Sequence, residues 1–266
     1  MEMVNLDKTM ISEIAKAWMN AAHPVVFSGA GMSTESGLPD FRSAQGMWKV
    51  KPESLATLDA LGTQPDEFYH FYQWRIAKLW EVIPNTGHRA LTDLQHRGYI
   101  KNIITQNVDG LHQRSGSGRV IEVHGSLRTV RCMDCHSVYD SRKLLPTRPQ
   151  WQDEYRQGVY HYGEECRCLA CNGLVRPDVV LFGESLPEKA IAKATQVSKN
   201  ADFFVVLGSS LTVSPASYFP SWAAKNGAKL LIINNDPTHL DNKATWVIRD
   251  SIGQVLDAIL AKVIQL

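Results

Sequence analysis

The stretch HPVVFSGAG, residues 23–31, decides the fold. Val25, Val26 and Phe27 form a short apolar run with no polar alternation, which stops at Ser28 and a Gly-Ala-Gly turn. A run of that kind suits a strand buried on both faces, as in a parallel sheet covered by helices. The same grammar recurs in IKNIITQNVDG (100–110), RVIEVHGS (119–126), DVVLFGES (178–185), ADFFVVLGSSL (201–211) and AKLLIINNDPT (228–238).

Between most of these runs lie helix-length segments: GHRALTDLQHRG (87–98), LPEKAIAKATQVSKN (186–200) and SYFPSWAAKNG (217–227). Such alternation predicts an α/β fold with a doubly wound parallel sheet. In these sheets, ligands bind beyond the carboxyl ends of the strands. Those ends carry Gly29–Gly31, Gln106–Asn107–Asp109, His124, Gly208–Ser209–Ser210 and Asn234–Asn235, so topology alone predicts a site built from glycine and uncharged polar groups. Two stretches interrupt the alternation. Residues 43–87 read as a helical insertion whose best helix starts near Thr63 or Gln64, and residues 127–173 hold cysteines and prolines with little periodicity. Together they form a smaller module, leaving 1–42, 88–126 and 174–266 for the sheet domain.

The chain has 266 residues, 44% apolar and 21% charged, which suits a globular protein with a sizeable core. A net charge of +1 makes no electrostatic case for nucleic acid or a membrane surface. The N-terminal segment lacks the basic end and apolar run of a signal peptide, and no apolar run nears the roughly 20 residues that span a bilayer. The expected location is cytoplasmic. The sequence sets no oligomeric state.

All five cysteines fall between residues 132 and 171. Cys132-x-x-Cys135 and Cys168-x-x-Cys171 supply four thiolates, a closed tetrahedral zinc set that staples a fold rather than catalysing. Cys166 is either a bystander or a substitute for Cys168 as ligand.

Gly29-Ala30-Gly31 after a strand suits backbone approach to a pyrophosphate, but the strict G-x-G-x-x-G is absent because the next glycine is Gly37. A plain tight turn fits equally well. His124 reads as a core histidine or as a base, its place at a sheet edge favouring the base; His112 reads as structural. In FYHFYQWRIAKLW (68–80), Tyr72 and Arg75 stand three apart and share one helix face. They either pack, with a snorkelling arginine, or grip a charged ligand.

These residues resemble those of the sirtuins, NAD-dependent protein-lysine deacylases. The resemblance runs from about residue 20 to 260 and rests on GAGMSTESGLPDFRS, TQNVDGLH, EVHGS, the two cysteine pairs, GLVRPDVVLFGE, GSSLTVSPAS and NNDPT, in that order. It implies a Rossmann-like sheet, NAD as a consumed co-substrate, one structural zinc ion, and acylated lysine in proteins or peptides as the partner. Gly29, Ala30 and Gly31 would present backbone to the pyrophosphate. Gly208, Ser209 and Ser210 would add donors, and Asn234 would hold the adenine-side ribose. Gln106 would contact the nicotinamide ribose, with Asn107 and Asp109 forming the nicotinamide pocket. Asp40, Phe41 and Arg42 would lie in a cofactor loop that excludes water. His124 would be the general base, with Asn107 also in the catalytic centre. The acyl oxygen would attack the ribose as nicotinamide leaves, giving acyl-ADP-ribose and free lysine. Val180 and Phe182 would meet the acyl chain, and the backbone at Gly183–Glu184 would pair with the peptide.

Sirtuins that remove succinyl, malonyl or glutaryl groups carry an alanine sixteen residues before a Tyr-x-x-Arg. Ala56, Tyr72 and Arg75 match that pattern. The resemblance thus implies a pocket in which the Tyr72 hydroxyl and Arg75 fork bind a carboxylate. Asp40 departs from that subgroup, which often has threonine before Phe-Arg, and matches deacetylase-type sirtuins. The alternatives are a general deacetylase of the same family, a protein ADP-ribosyltransferase or NAD hydrolase, and a non-catalytic NAD-responsive module.

Overall fold

The computed structural model describes residues 7–41, 46–47, 53–146, 150–159, 161–162 and 164–266. The first half runs α1 (Lys8–Met19), β1 (Pro24–Ser28), α2 (Leu58–Thr63), α3 (Pro65–Glu81), α4 (Thr86–His96), β2 (Asn102–Thr105), α5 (Leu111–Arg114) and β3 (Val120–Glu122). Then follow β4 (Gly125–Cys132), β5 (Val138–Asp140), α6 (Trp151–Arg156), β6 (Val175–Val179), α7 (Glu188–Lys199), β7 (Phe203–Leu207), α8 (Tyr218–Lys225), β8 (Lys229–Ile233), β9 (Trp246–Ile248) and α9 (Ile252–Gln265).

Six strands form one sheet in the order β3-β2-β1-β7-β8-β9, every pair parallel. The chain winds outward from β1 to β3, then returns to β7 beside β1 and winds the other way. The order therefore reverses between β1 and β7, the crevice where such sheets bind ligands. Alternate residues feed the two layers. Val26, Ile103, Val205 and Leu231 face α1, α4 and α9, while Val25, Phe27, Val206 and Ile232 face α7 and α8. That double burial explains the unbroken apolar runs of β1 and β7, each buried at all five positions.

The run DVVLFGES behaves differently from its expected place in the parallel sheet. Its strand, β6, pairs antiparallel with β4 in a second sheet of order β5-β4-β6. The burial of β6 alternates, with Arg176 and Asp178 on the half-exposed face. The apolar residues Val180–Phe182 lie past its end, so the apolar run did not coincide with the strand. This small sheet packs through Leu127, Val130 and Val175 against Phe68, Tyr72 and Ile76 of α3. Helix α3 begins at Pro65, whose missing N–H is harmless at a helix start.

Candidate active site

The ends of three strands, β1, β2 and β7, are stitched together by hydrogen bonds. Asn107 Nδ2 donates to the Gly29 carbonyl at 2.9 Å and to Ser33 Oγ at 3.2 Å. Ser33 Oγ donates in turn to Asp109 Oδ2 at 2.7 Å, while Asp109 Oδ1 accepts the Leu111 N–H at 2.9 Å. Gln106 Nε2 donates to Ser209 Oγ at 2.9 Å. With its amide donors spent, Asn107 keeps its carbonyl oxygen as the group to offer a ligand. Burial pushes the Asp109 carboxyl above its ordinary range, opposed by the Leu111 and Ser33 bonds.

The glycines serve this junction first. A Cβ on Gly29 would lie 2.7 Å from the Gly208 carbonyl oxygen, and one on Gly31 would lie 2.8 Å from the Gly208 Cα. Backbone cannot yield as a flexible side chain can, so only glycine lets the turns after β1 and β7 meet. Gly208 itself has φ +56°.

His124 sits between β3 and β4, half-buried, with Nδ1 3.1 Å from the Gln106 carbonyl oxygen. A carbonyl only accepts, so Nδ1 carries the proton in this bond and Nε2 of the neutral ring is left basic. Burial lowers the His124 pKa, partly offset by that bond, and the ring is neutral at pH 7. His112 is buried, its Nε2 2.9 Å from Ser28 Oγ, and burial lowers its pKa to about 4. Its ring stands 4.9 Å from that of His88, whose pKa burial lowers to about 2. Both are neutral interior groups.

The segment after β6 borders this junction. Val180 N–H donates to the His124 carbonyl at 2.9 Å. Phe182 N–H donates to the Ala56 carbonyl at 2.9 Å, and Leu58 N–H returns a bond to the Phe182 carbonyl at 3.1 Å. Phe182 is exposed and Val180 half-buried. Ala56 and Tyr72 lie in one buried cluster. The Arg75 guanidinium stands 5.4–5.6 Å from the ring centroids of Phe41, Phe71 and Tyr72. Burial pushes the Arg75 pKa down, and the Tyr72 hydroxyl and the Asp109 charge oppose that. Burial likewise raises the Tyr72 pKa, so the hydroxyl stays protonated as a donor. Gly183 has φ +95°, and the Glu184 side chain turns inward onto Arg176.

Sγ atoms of Cys132, Cys135, Cys168 and Cys171 all lie within 4.8 Å of one another. Cys132 and Cys171 are 3.5 Å apart, and Cys135 and Cys168 3.6 Å. Tetrahedral zinc with bonds of about 2.3 Å sets its sulfurs about 3.8 Å apart, so the four thiols fit the ion. Two knuckles hold them: Cys132 N–H donates to Ser137 and Cys168 N–H to Gly173, with His136 and Asn172 both at φ 60°. Cys166 stands outside the four, buried, its thiol pKa raised by burial.

The remaining expected residues scatter more. Asn234 Nδ2 turns back to the Asp236 carbonyl at 2.8 Å, and Ser210 Oγ meets Thr212 at 2.9 Å. The Asp40 carbonyl accepts Met47 N–H at 2.7 Å. Ala30 opens the 3-10 turn Ala30–Ser36. Arg42 lies outside the described residues. Sequence reasoning missed Ser33 and Arg176. Ser33 stands within the GAGMS stretch at the end of β1, where a hydroxyl two residues after the glycines was the available signal. Nothing local marks Arg176, whose partner is eight residues on.

A doubly wound sheet with a polar junction at its switch point, a basic histidine on that junction and a four-thiol module define a nucleotide-type enzyme site on an α/β scaffold. The Sir2 family model matches residues 29–215, and the chain belongs to the Sir2 family. It is 50% identical over 247 residues to NAD-dependent protein deacetylase 1 of Geobacillus kaustophilus (strain HTA426), covering 91% of this chain and 95% of the relative. It is 44% identical over 248 residues to the NAD-dependent protein deacetylase of Oceanobacillus iheyensis (strain DSM 14371 / CIP 107618 / JCM 11309 / KCTC 3954 / HTE831), covering 92% and 98%. Among solved structures it resembles a Sir2–p53 peptide–NAD+ complex at TM-score 0.81 and 32% identity, covering 94% of this chain and 96% of that one. It also resembles Sir2Tm bound to a propionylated peptide, at TM-score 0.80 and 32% identity, covering 94% and 97%.

Proposed function

We propose that the protein is an NAD-dependent protein-lysine deacylase that removes acetyl groups and prefers the acidic succinyl, malonyl and glutaryl groups. The observation that carries the deacylase reading is the His124 bond to the Gln106 carbonyl, which leaves a basic Nε2 beside the strand-end junction. NAD supplies the electrophilic ribose carbon and the nicotinamide leaving group. The Asn107 carbonyl oxygen and Asp109 suit the NH2 of a carboxamide, and Gln106, fixed on Ser209, would contact the ribose. His124 takes a ribose hydroxyl proton on Nε2, a task that a neutral imidazole performs at pH 7. Phe41 would shield the reacting sugar from water, and Val180 and Phe182 would meet the acyl chain. The acyl-lysine peptide adds as a strand along Gly183–Glu184.

Acidic preference rests on Arg75 and Tyr72. A guanidinium among three aromatic rings and a protonated hydroxyl are poorly solvated donors, and a carboxylate on the acyl chain would accept from both. A general deacetylase is the second reading, favoured by Asp40 and by the names of the relatives. Mass spectrometry of products from NAD and an acyl-lysine peptide tests the reaction class. Equal amounts of nicotinamide, acyl-ADP-ribose and free-lysine peptide are expected; free ADP-ribose or ADP-ribosylated protein alone would sink the deacylase reading.

A further inference from the structure

We infer that Arg176 and Glu184 are positioning residues of the acyl-lysine segment, a side-chain clasp that holds Val180 and Phe182 at the working distance from His124. The inference rests on the deacylase reading and deepens it. Arg176 Nη1 meets Glu184 Oε1 at 2.6 Å and Nη2 meets Oε2 at 2.8 Å, a fork-on-fork pair. Each partner also holds backbone of the same segment: Arg176 Nη2 donates to the Val179 carbonyl at 2.8 Å, and Glu184 Oε2 accepts the Leu181 N–H at 2.8 Å. The Glu184 N–H donates to the Leu181 carbonyl at 3.0 Å, closing the turn around Gly183.

Solvent separates this pair from ordinary surface pairs. The two side chains are 17% and 24% exposed, against 51% and 60% for Lys78–Glu81 and 71% and 65% for Arg156–Asp153. The segment it closes has three bonds to fixed neighbours: Val180 to His124, Phe182 to Ala56, and Leu58 to Phe182. With the clasp shut, backbone of 179–184 has little freedom left, and the side chains at 180 and 182 are fixed relative to the histidine backbone. The clasp also reaches the aromatic helix, because Tyr72 feels the charges of both Arg176 and Glu184. Four of the five Arg176 N–H donors are spent on its own segment, the fourth being Nε on the Pro177 carbonyl at 3.4 Å. Its role is therefore to hold that segment rather than to be the cation that binds substrate.

The test compares wild type with Glu184→Gln, Arg176→Lys and Arg176→Met on an acetyl-lysine peptide with saturating NAD. Loss of positioning raises the peptide KM about tenfold in Glu184→Gln and Arg176→Met, changes kcat less than about threefold, and costs less in Arg176→Lys, which keeps the charge but not the fork. ADP-ribose affinity, measured by calorimetry without peptide, stays within about twofold because that junction has its own bonds. Amide exchange at Leu181 speeds up in Glu184→Gln while amides of Val205 and Val206 do not change. A peptide KM matching wild type in both Glu184→Gln and Arg176→Met overturns the clasp. So does a parallel loss of ADP-ribose affinity, which marks general destabilisation. Wild-type turnover itself tests the functional reading, and the ratio of variant to wild type tests the clasp, so the two failures are distinct.

Discussion

The two halves of the molecule are held by different means. In the large sheet, five parallel strand pairings run side by side between two helical layers, and backbone meets backbone at Gly29, Gly31 and Gly208. In the small unit, a three-stranded sheet with a register shift between Ser126 and Val130 carries helix α3 on side-chain ties. Tyr69 donates to the Val175 carbonyl at 2.7 Å, Gln73 to the Leu144 carbonyl at 2.8 Å, and Trp80 to Ser141 at 3.2 Å, with the four thiols at the far end. The division suits the chemistry proposed. The groups proposed for the common reaction stand on strand ends, while those proposed to read the acyl chain stand on a helix packed by its aromatic face on the small sheet.

The largest expected effect comes from the rigid half. His124→Ala should cut deacylation by about 10³-fold while ADP-ribose binding, read by calorimetry, barely changes. Its pH profile follows from the sign of the shift. The neutral ring is the base, so kcat/KM is present above its pKa and falls as pH drops through it. Burial lowers that pKa, so the acid limb should lie below the ordinary histidine value of about 6.5, read from kcat/KM against pH.

Zinc removal should break the comparison open. A structural zinc contributes on the order of 10 kcal/mol to its module. Stripping it with a chelator should disorder the small unit first, seen as changed fluorescence from Trp74, Trp80 and Trp151. Deacylation should fall about a hundredfold, with ADP-ribose binding less affected. Equal loss of both would mean that the halves are not separable.

Glycine substitutions probe the same contrast on a smaller scale. Gly31→Ala places a methyl against fixed Gly208 backbone and should cost about 2 kcal/mol in urea unfolding, with weaker ADP-ribose binding. Gly62→Ala, in α2 of the small unit with nothing within 4 Å of the added carbon, should instead stabilise by about 0.5–1 kcal/mol.

How much of this the sequence disclosed follows the same division. The runs at Val25–Phe27, Phe203–Leu207 and Leu230–Ile233 read correctly because burial on both faces removes polar alternation. The strand ends, and hence the junction, followed from them. The 178–185 run was misplaced because Val179 ends an antiparallel strand of the small sheet and Leu181 packs into the small unit's core from the turn beyond it, so the apolar side chains fill no parallel sheet. Strand β9 escaped because three residues give no period. The four cysteines were legible by spacing, and the geometry separates Cys168 from Cys166 where spacing left both open. The Ser33–Asp109 bond and the Arg176–Glu184 clasp join residues 76 and 8 apart, and such pairings depend on tertiary approach that local patterns do not encode.

The most direct test of the account is the acyl preference itself, because it asks whether the side-chain-held half selects what the strand-held half consumes. One peptide carrying acetyl-, succinyl-, malonyl- or glutaryl-lysine would be deacylated with NAD by wild type and by Arg75→Met, and kcat/KM compared. The account predicts that wild type favours an acidic acyl group and that Arg75→Met lowers kcat/KM for it about a hundredfold while acetyl-lysine changes little. Equal or better use of acetyl-lysine by wild type, with Arg75→Met leaving the ratio unchanged, would contradict it and return Tyr72 and Arg75 to packing.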